Sequence, residues 1–140
     1  MTQETNPQNI EQCRAKAAHA LVTNNLNSDR LRAYSNSLPA MILTNGFGQT
    51  MAFIKMKGVA KDRELTPEQH AYNSLYTSIQ DWLSKKELIT INADTDLIKA
   101  ITQISQQEYQ IATVETLAYC KWIKQLATAL IPSKDNSNVT

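Results

Sequence analysis

His19 and His70 are the two histidines of the chain, and a histidine pair is what an RNA-cleaving enzyme would use to take and return a proton. Neither has a catalytic signature around it. The two fall on different predicted helices, so packing or surface roles explain them. The acidic pairs Asp62 with Glu64 and Asp94 with Asp96 are more simply helix caps and solvated loop residues than a metal site with a full ligand set. Gly46-Phe47-Gly48 invites comparison with a phosphate-cradling loop but lacks both the longer glycine fingerprint and the Lys-Ser ending, which leaves a helix-to-helix corner. Cys13 and Cys120 have no base partner and read as small core residues. No catalytic constellation, metal site or cofactor is expected.

The aromatics Tyr72, Trp82, Tyr109, Tyr119 and Trp122 could stack on nucleobases, yet they fall on apolar helical stripes and read as core. The basic residues are harder to dismiss. Arg14 with Lys16, Lys55 with Lys57, Lys61 with Arg63, and Lys121 with Lys124 form short-range pairs on three helices and a loop. Such pairs are commonly solvated faces. Brought together by the fold, they would make a stripe able to follow a phosphate backbone without reading bases.

The elements that must position these residues are helical throughout: glycine and proline number 3 and 4, and apolar residues recur at helical spacing. The fold class predicted is all-α, a compact single-domain bundle of about six helices with an ordered core over 7–131. Pro7 to Val22 forms the first helix, with Ile10, Cys13, Ala17, Ala20 and Leu21 inward and Arg14 and Lys16 outward. A second starts at a Ser28 or Asp29 cap and meets Pro39, where the chain either kinks or restarts from a Ser37 cap. Asn45-Gly46 ends it. Gly48 to Lys57 makes a third, stopped by Gly58 and followed by an exposed loop. Thr66-Pro67-Glu68-Gln69 opens a long fourth helix, and Glu87 to Ile91, which could pass for a short strand but has no plausible partner strand, is a connector. Asp94 caps a fifth, with Leu97, Ile98, Ile101 and Ile104 inward. Ser105 to Glu108 is a capping box for the last helix, which runs to Ile131, is apolar nearly all round and is therefore expected to be surrounded. Ser133 to Thr140 should fray.

The formal net charge of +1 argues neither for nor against nucleic acid; only a local patch could. Two distant cysteines predict no disulfide and suit a reducing compartment. The polar start carries no secretory signal, and no apolar run approaches the ~20 residues that span a bilayer. A cytoplasmic chain is the expectation.

One stretch, Tyr34 to Gly58, carries more. Its pattern of Tyr34, Leu38-Pro39, Met41-Ile42, Asn45-Gly46, Gly48-Gln49 and Ala52-Phe53 resembles the small subunit of the type III-B CRISPR effector, the Cmr complex. A second match lies in the last helix at Tyr109, Glu115, Leu117, Trp122-Ile123-Lys124, Ala127 and Ala129-Leu130. The resemblance runs from about Ala15 to Leu130. It implies a helical, non-catalytic structural subunit whose copies stack in a filament beside the backbone and large Cmr subunits. Together these line the path of target RNA paired to the CRISPR RNA. The guide supplies sequence specificity, so phosphate and shape contacts suffice. On that resemblance Lys57 and Lys124 are the leading RNA contacts, followed by Arg14, Lys16, Lys55 and Lys121. A protein-binding adaptor with no RNA contact is the alternative, and a ribonuclease using His19 and His70 a third.

Overall fold

The computed structural model describes residues 7–59 and 64–133. The Lys61 and Arg63 pair, Asp62, and the tail from 134 onward lie outside them. Within the described residues six helices follow in order: α1 (Ile10–Thr23), α2 (Asp29–Asn45), α3 (Phe47–Lys57), α4 (Pro67–Lys85), α5 (Leu97–Ile101) and α6 (Gln106–Leu130). The described residues contain no strand, only an isolated bridge between Asn92 and Thr95.

Local chemistry sets most boundaries. Thr66 accepts from the Gln69 amide while the Gln69 side chain returns the bond, and Ser105 and Glu108 do the same for α6, as their spacing predicts. A third capping box, Asn9 with Gln12, starts α1 three residues later than Pro7. Ser28, rather than Asp29, caps α2. Asp96, rather than Asp94, caps α5, accepting from the Lys99 amide at 3.0 Å. That helix is a single short turn, so Ile104 lies beyond its end.

Helix α2 runs unbroken through Pro39, and Ser37 donates back to the Tyr34 carbonyl at 3.2 Å instead of capping a new helix. A proline in a helix interior costs about 3 kcal/mol. The same helix buries Leu31, Leu38 and Ile42, each worth about 1.5–3 kcal/mol, so burial outweighs the lost hydrogen bond. Gly46 alone joins α2 to α3, with φ 92° and ψ 158°, a region essentially closed to side chains. Thr50 braces this corner by donating to the Met41 carbonyl at 3.2 Å.

The core is one cluster shared by all six helices, with Phe47, Leu75, Ile79, Leu83 and Ile123 fully buried. Helix α6 packs on α1, α2 and α4 through Ala112, Thr116, Tyr119, Cys120, Ile123 and Ala127. It is not surrounded: Ile111, Val114 and Leu130 are exposed, because the other helices cover only one side of it. The inward face of α1 also differs from expectation. Ala18 and Val22 are its buried residues, whereas Ile10 and Ala20 are exposed. No helix among the described residues is long and apolar enough to cross a membrane.

Candidate nucleic-acid interface

The six candidate cations fall on two helix groupings. Arg14, Lys16, Lys121 and Lys124 lie on α1 and α6, which pack on each other, while Lys55 and Lys57 lie on α3, which packs on α2, α4 and α5.

In the first grouping the structure commits Arg14 to the fold. Its Nε and Nη2 donate to both oxygens of Glu115 at 2.7 and 2.8 Å, and Nη1 lies 3.4 Å from Glu11. The Trp82 indole adds a bond to Glu115 at 2.9 Å, and the Trp122 indole donates to Glu11 at 2.6 Å. These bonds tie α1, α4 and α6 together. Burial alone would push the Glu115 carboxyl up, but the bonds from Arg14 and Trp82 outweigh it and hold the pKa below the ordinary value. Arg14 was expected to point outward; its side chain is instead 14% exposed, because its planar guanidinium meets a carboxylate in bidentate geometry. Lys16 and Lys121 are exposed and Lys124 is half-buried.

In the second grouping the lysines diverge. Lys55 pairs with Asp96 at 3.1 Å and sits over the Tyr76 ring, 4.8 Å from its centroid. The backbone amide of Lys99, with further help from Lys55, holds Asp96 below its usual range. Lys57 is exposed, with its ammonium 5.7 Å from the Phe53 centroid. Its position depends on Gly58. A Cβ there would lie 2.9 Å from the Asn73 amide nitrogen, so the bare glycine lets the end of α3 rest on the backbone of α4.

That approach assembles a group of rings that sequence reasoning missed. Tyr34 of α2 stacks on Tyr72 of α4, with centroids 3.9 Å apart and planes 13° apart, and Phe53 of α3 meets Tyr72 edge-on at 6.0 Å. All three are half-buried. Arg30, one helical turn before Tyr34 on α2, pairs with Glu68. The only sequence signal was that Tyr34 and Phe53 belong to one motif. By contrast Trp82 and Tyr119 are buried core rings, as expected, and burial pushes the Tyr119 hydroxyl up to about 12.

The remaining candidates stay apart. His19 and His70 are exposed on α1 and α4; His70 lines a groove of about 620 Å³ between those helices that also holds Asn25, Asn73 and Asp81. Complete burial pushes the Cys120 thiol up to about 12, which keeps it a neutral core group. In the glycine corner the Gly48 amide donates to the Tyr109 hydroxyl at 2.8 Å, a bond that ties α3 to α6. Among the described residues no group of three His, Cys, Asp or Glu side chains is placed to hold a metal ion.

The crystal structure of a CRISPR-associated Cmr5 family protein from Thermus thermophilus matches this fold with a TM-score of 0.67. The match covers 90% of this chain and 100% of that one at 22% sequence identity. The profile of the family described as CRISPR-associated protein (Cas_Cmr5) matches residues 10–130, from the first residue of α1 to the last of α6. That span holds both motifs and all six helices, and the chain belongs to the Cas_Cmr5 family.

Proposed function

We propose that the chain is a non-catalytic subunit of the type III-B Cmr ribonucleoprotein that stacks along the complex and helps hold target RNA on the CRISPR RNA through phosphate contacts. Family membership over residues 10–130 carries the Cmr assignment. The observation supporting RNA contact is the exposed Lys57, held over Phe53 at the end of α3 with no carboxylate among the described residues bonded to it. Lys16, Lys121 and Lys124 extend the proposal on α1 and α6. Lys55 belongs to it only if its pair with Asp96, nearly half exposed on both sides, opens. Arg14 drops out of the RNA-facing set, since freeing it would strip Glu115 of its partner. The backbone and large Cmr subunits, and further copies of this chain, are the protein partners.

The test is the double variant Lys57→Ala with Lys124→Ala in the assembled complex. Each phosphate contact contributes about 0.7 to 0.9 to the slope of log affinity against log salt, so the variant should capture target RNA more weakly with a slope smaller by roughly 1 to 2. Capture unchanged across the salt series would remove RNA contact from these residues.

A second reading, a protein-binding adaptor without RNA contact, draws on the open face of α6, where Ile111 is 47% and Val114 68% exposed. Large exposed apolar side chains in line on one helix favour a protein partner. Normal RNA capture by the lysine variant, combined with lost assembly on Val114→Asp, would favour that reading.

A further inference from the structure

The aromatic corner is built unlike the Trp82–Tyr119 stack of the core. Trp82 stacks on Tyr119 with both rings buried, which is what packing requires. Tyr34, Tyr72 and Phe53 are instead half-buried where α2, α3 and α4 meet. Their arrangement is ordered: Phe53 is edge-on to Tyr72, Tyr72 is face-on to Tyr34, and no further ring among the described residues stacks on Tyr34. Cations flank the column at both ends. Lys57 lies over Phe53, and Arg30 precedes Tyr34 by one turn of α2. The pair of Arg30 with Glu68 is solvent-exposed, with side chains 42% and 59% accessible, so water already screens it and exchange of Glu68 for another anion costs little. A ring column between two cations has the ability to take a flat ring attached to phosphates.

We infer that the corner of Tyr34, Tyr72, Phe53, Lys57 and Arg30 is a binding site for an unpaired nucleobase of single-stranded RNA. The base continues the column on Tyr34, the adjoining phosphate meets Arg30, and Lys57, at the Phe53 end, meets a phosphate further along the strand. This rests on the RNA-contact reading and deepens it: phosphate contact alone is indifferent to bases, whereas this site requires one that is not engaged in a duplex. Every base presents a flat face, so the site is sequence-tolerant.

The experiment measures binding of the full chain to an oligoadenylate of roughly twelve nucleotides and to an abasic oligomer of equal length, across a salt series. Tyr34→Leu keeps the apolar bulk and removes the ring. It should weaken oligoadenylate binding between about fivefold and a hundredfold, leave the abasic oligomer unaffected and keep the salt slope. Tyr34→Phe keeps the ring and should bind like the wild type. Lys57→Ala should lower the slope for both oligomers. Independently of any variant, photo-crosslinking of an oligomer carrying 5-iodouridine to the unaltered protein should map to Tyr34 or its neighbours in the corner.

A folded Tyr34→Leu that binds oligoadenylate like the wild type, or crosslinks that map only elsewhere, overturns the base site. If Lys57→Ala still flattens the salt dependence in that case, phosphate contact stands without it. If the unaltered chain binds neither oligomer, the base site falls, and the salt series on the assembled complex decides phosphate contact separately.

Discussion

The α1–α4–α6 seam and the α2–α3–α4 corner are both built from cations and aromatic rings, and they use them in opposite ways. In the seam, Arg14 is closed in by Glu115, the Trp82 indole bonds the same carboxylate, and Trp122 bonds Glu11. Every polar tip there is turned on another part of the chain. In the corner, Lys57 rests over Phe53 and the Tyr34–Tyr72 pair is partly open. A basic residue next to an aromatic one in a helical sequence therefore says little by itself. What separates a structural cation from an available one is whether the fold encloses it with a carboxylate, as it does Arg14 at 14% exposed, or leaves it in solvent, as it does Lys57 and the Arg30–Glu68 pair.

Removing the carboxylate from the seam should give the largest effect. Glu115→Ala leaves Arg14, 14% exposed, with only a 3.4 Å contact to Glu11, and leaves the Trp82 indole without its acceptor. Breaking one partner out of a largely buried pair costs about 3 kcal/mol. Lys57→Ala, on an exposed side chain, should stay within about 0.5 kcal/mol. Urea unfolding of both variants measures the contrast. Equal losses would erase the distinction between the two regions.

Next in size is Gly58→Ala, which attacks the corner through its backbone. At φ −92° the conformation suits alanine, but the new Cβ would lie 2.9 Å from the Asn73 nitrogen and 3.1 Å from its Cα, and helical backbone cannot yield. Overpacking of this kind costs about 1–3 kcal/mol. Because it lifts the end of α3 off α4, oligoadenylate binding should fall along with the unfolding midpoint. A variant that unfolds earlier yet binds RNA normally would show that the position of Lys57 over the rings is unimportant.

The sequence made some of this legible and hid the rest for identifiable reasons. The Thr66 and Ser105 caps were readable because their chemistry is complete within four residues. The fate of Arg14 was not, since its partner lies 101 residues away and no local spacing announces it. Helix α1 is rich in alanine, which gives little contrast between faces, and the face expected inward was misplaced towards Ile10 and Ala20. The exposure of Val114 and Ile111 on a helix expected to be surrounded was hidden because periodicity records which residues are apolar, not how many neighbours arrive to cover them. Tyr34 and Tyr72 looked unrelated at a separation of 38 residues, and Tyr72 looked like core. Lys57 was visible only as the edge of a motif, and its ring partner needed the fold.

The smallest predicted effect sets the seam against the exposed Lys55–Asp96 pair between α3 and α5, by pH and salt together. Glu115 and Asp96 both have folded-state pKa values depressed below their ordinary ones, the first by bonds that outweigh its burial, the second chiefly by the Lys99 amide with help from Lys55. A depressed carboxyl stabilises the fold above its unfolded value, and that contribution is lost as pH falls through the folded one. Stability should therefore be level near neutrality and decline below about pH 5. The shares should respond differently to salt. The Lys55–Asp96 pair is 45% and 41% exposed, so salt should remove much of the lysine's part, whereas the Arg14–Glu115 pair at 14% and 13% is shielded from it. Thermal unfolding against pH at low and high salt should leave an acid-side decline that persists in salt and becomes shallower in Glu115→Gln. A decline that vanishes entirely at high salt would mean that the seam is as open to water as the Lys55–Asp96 pair.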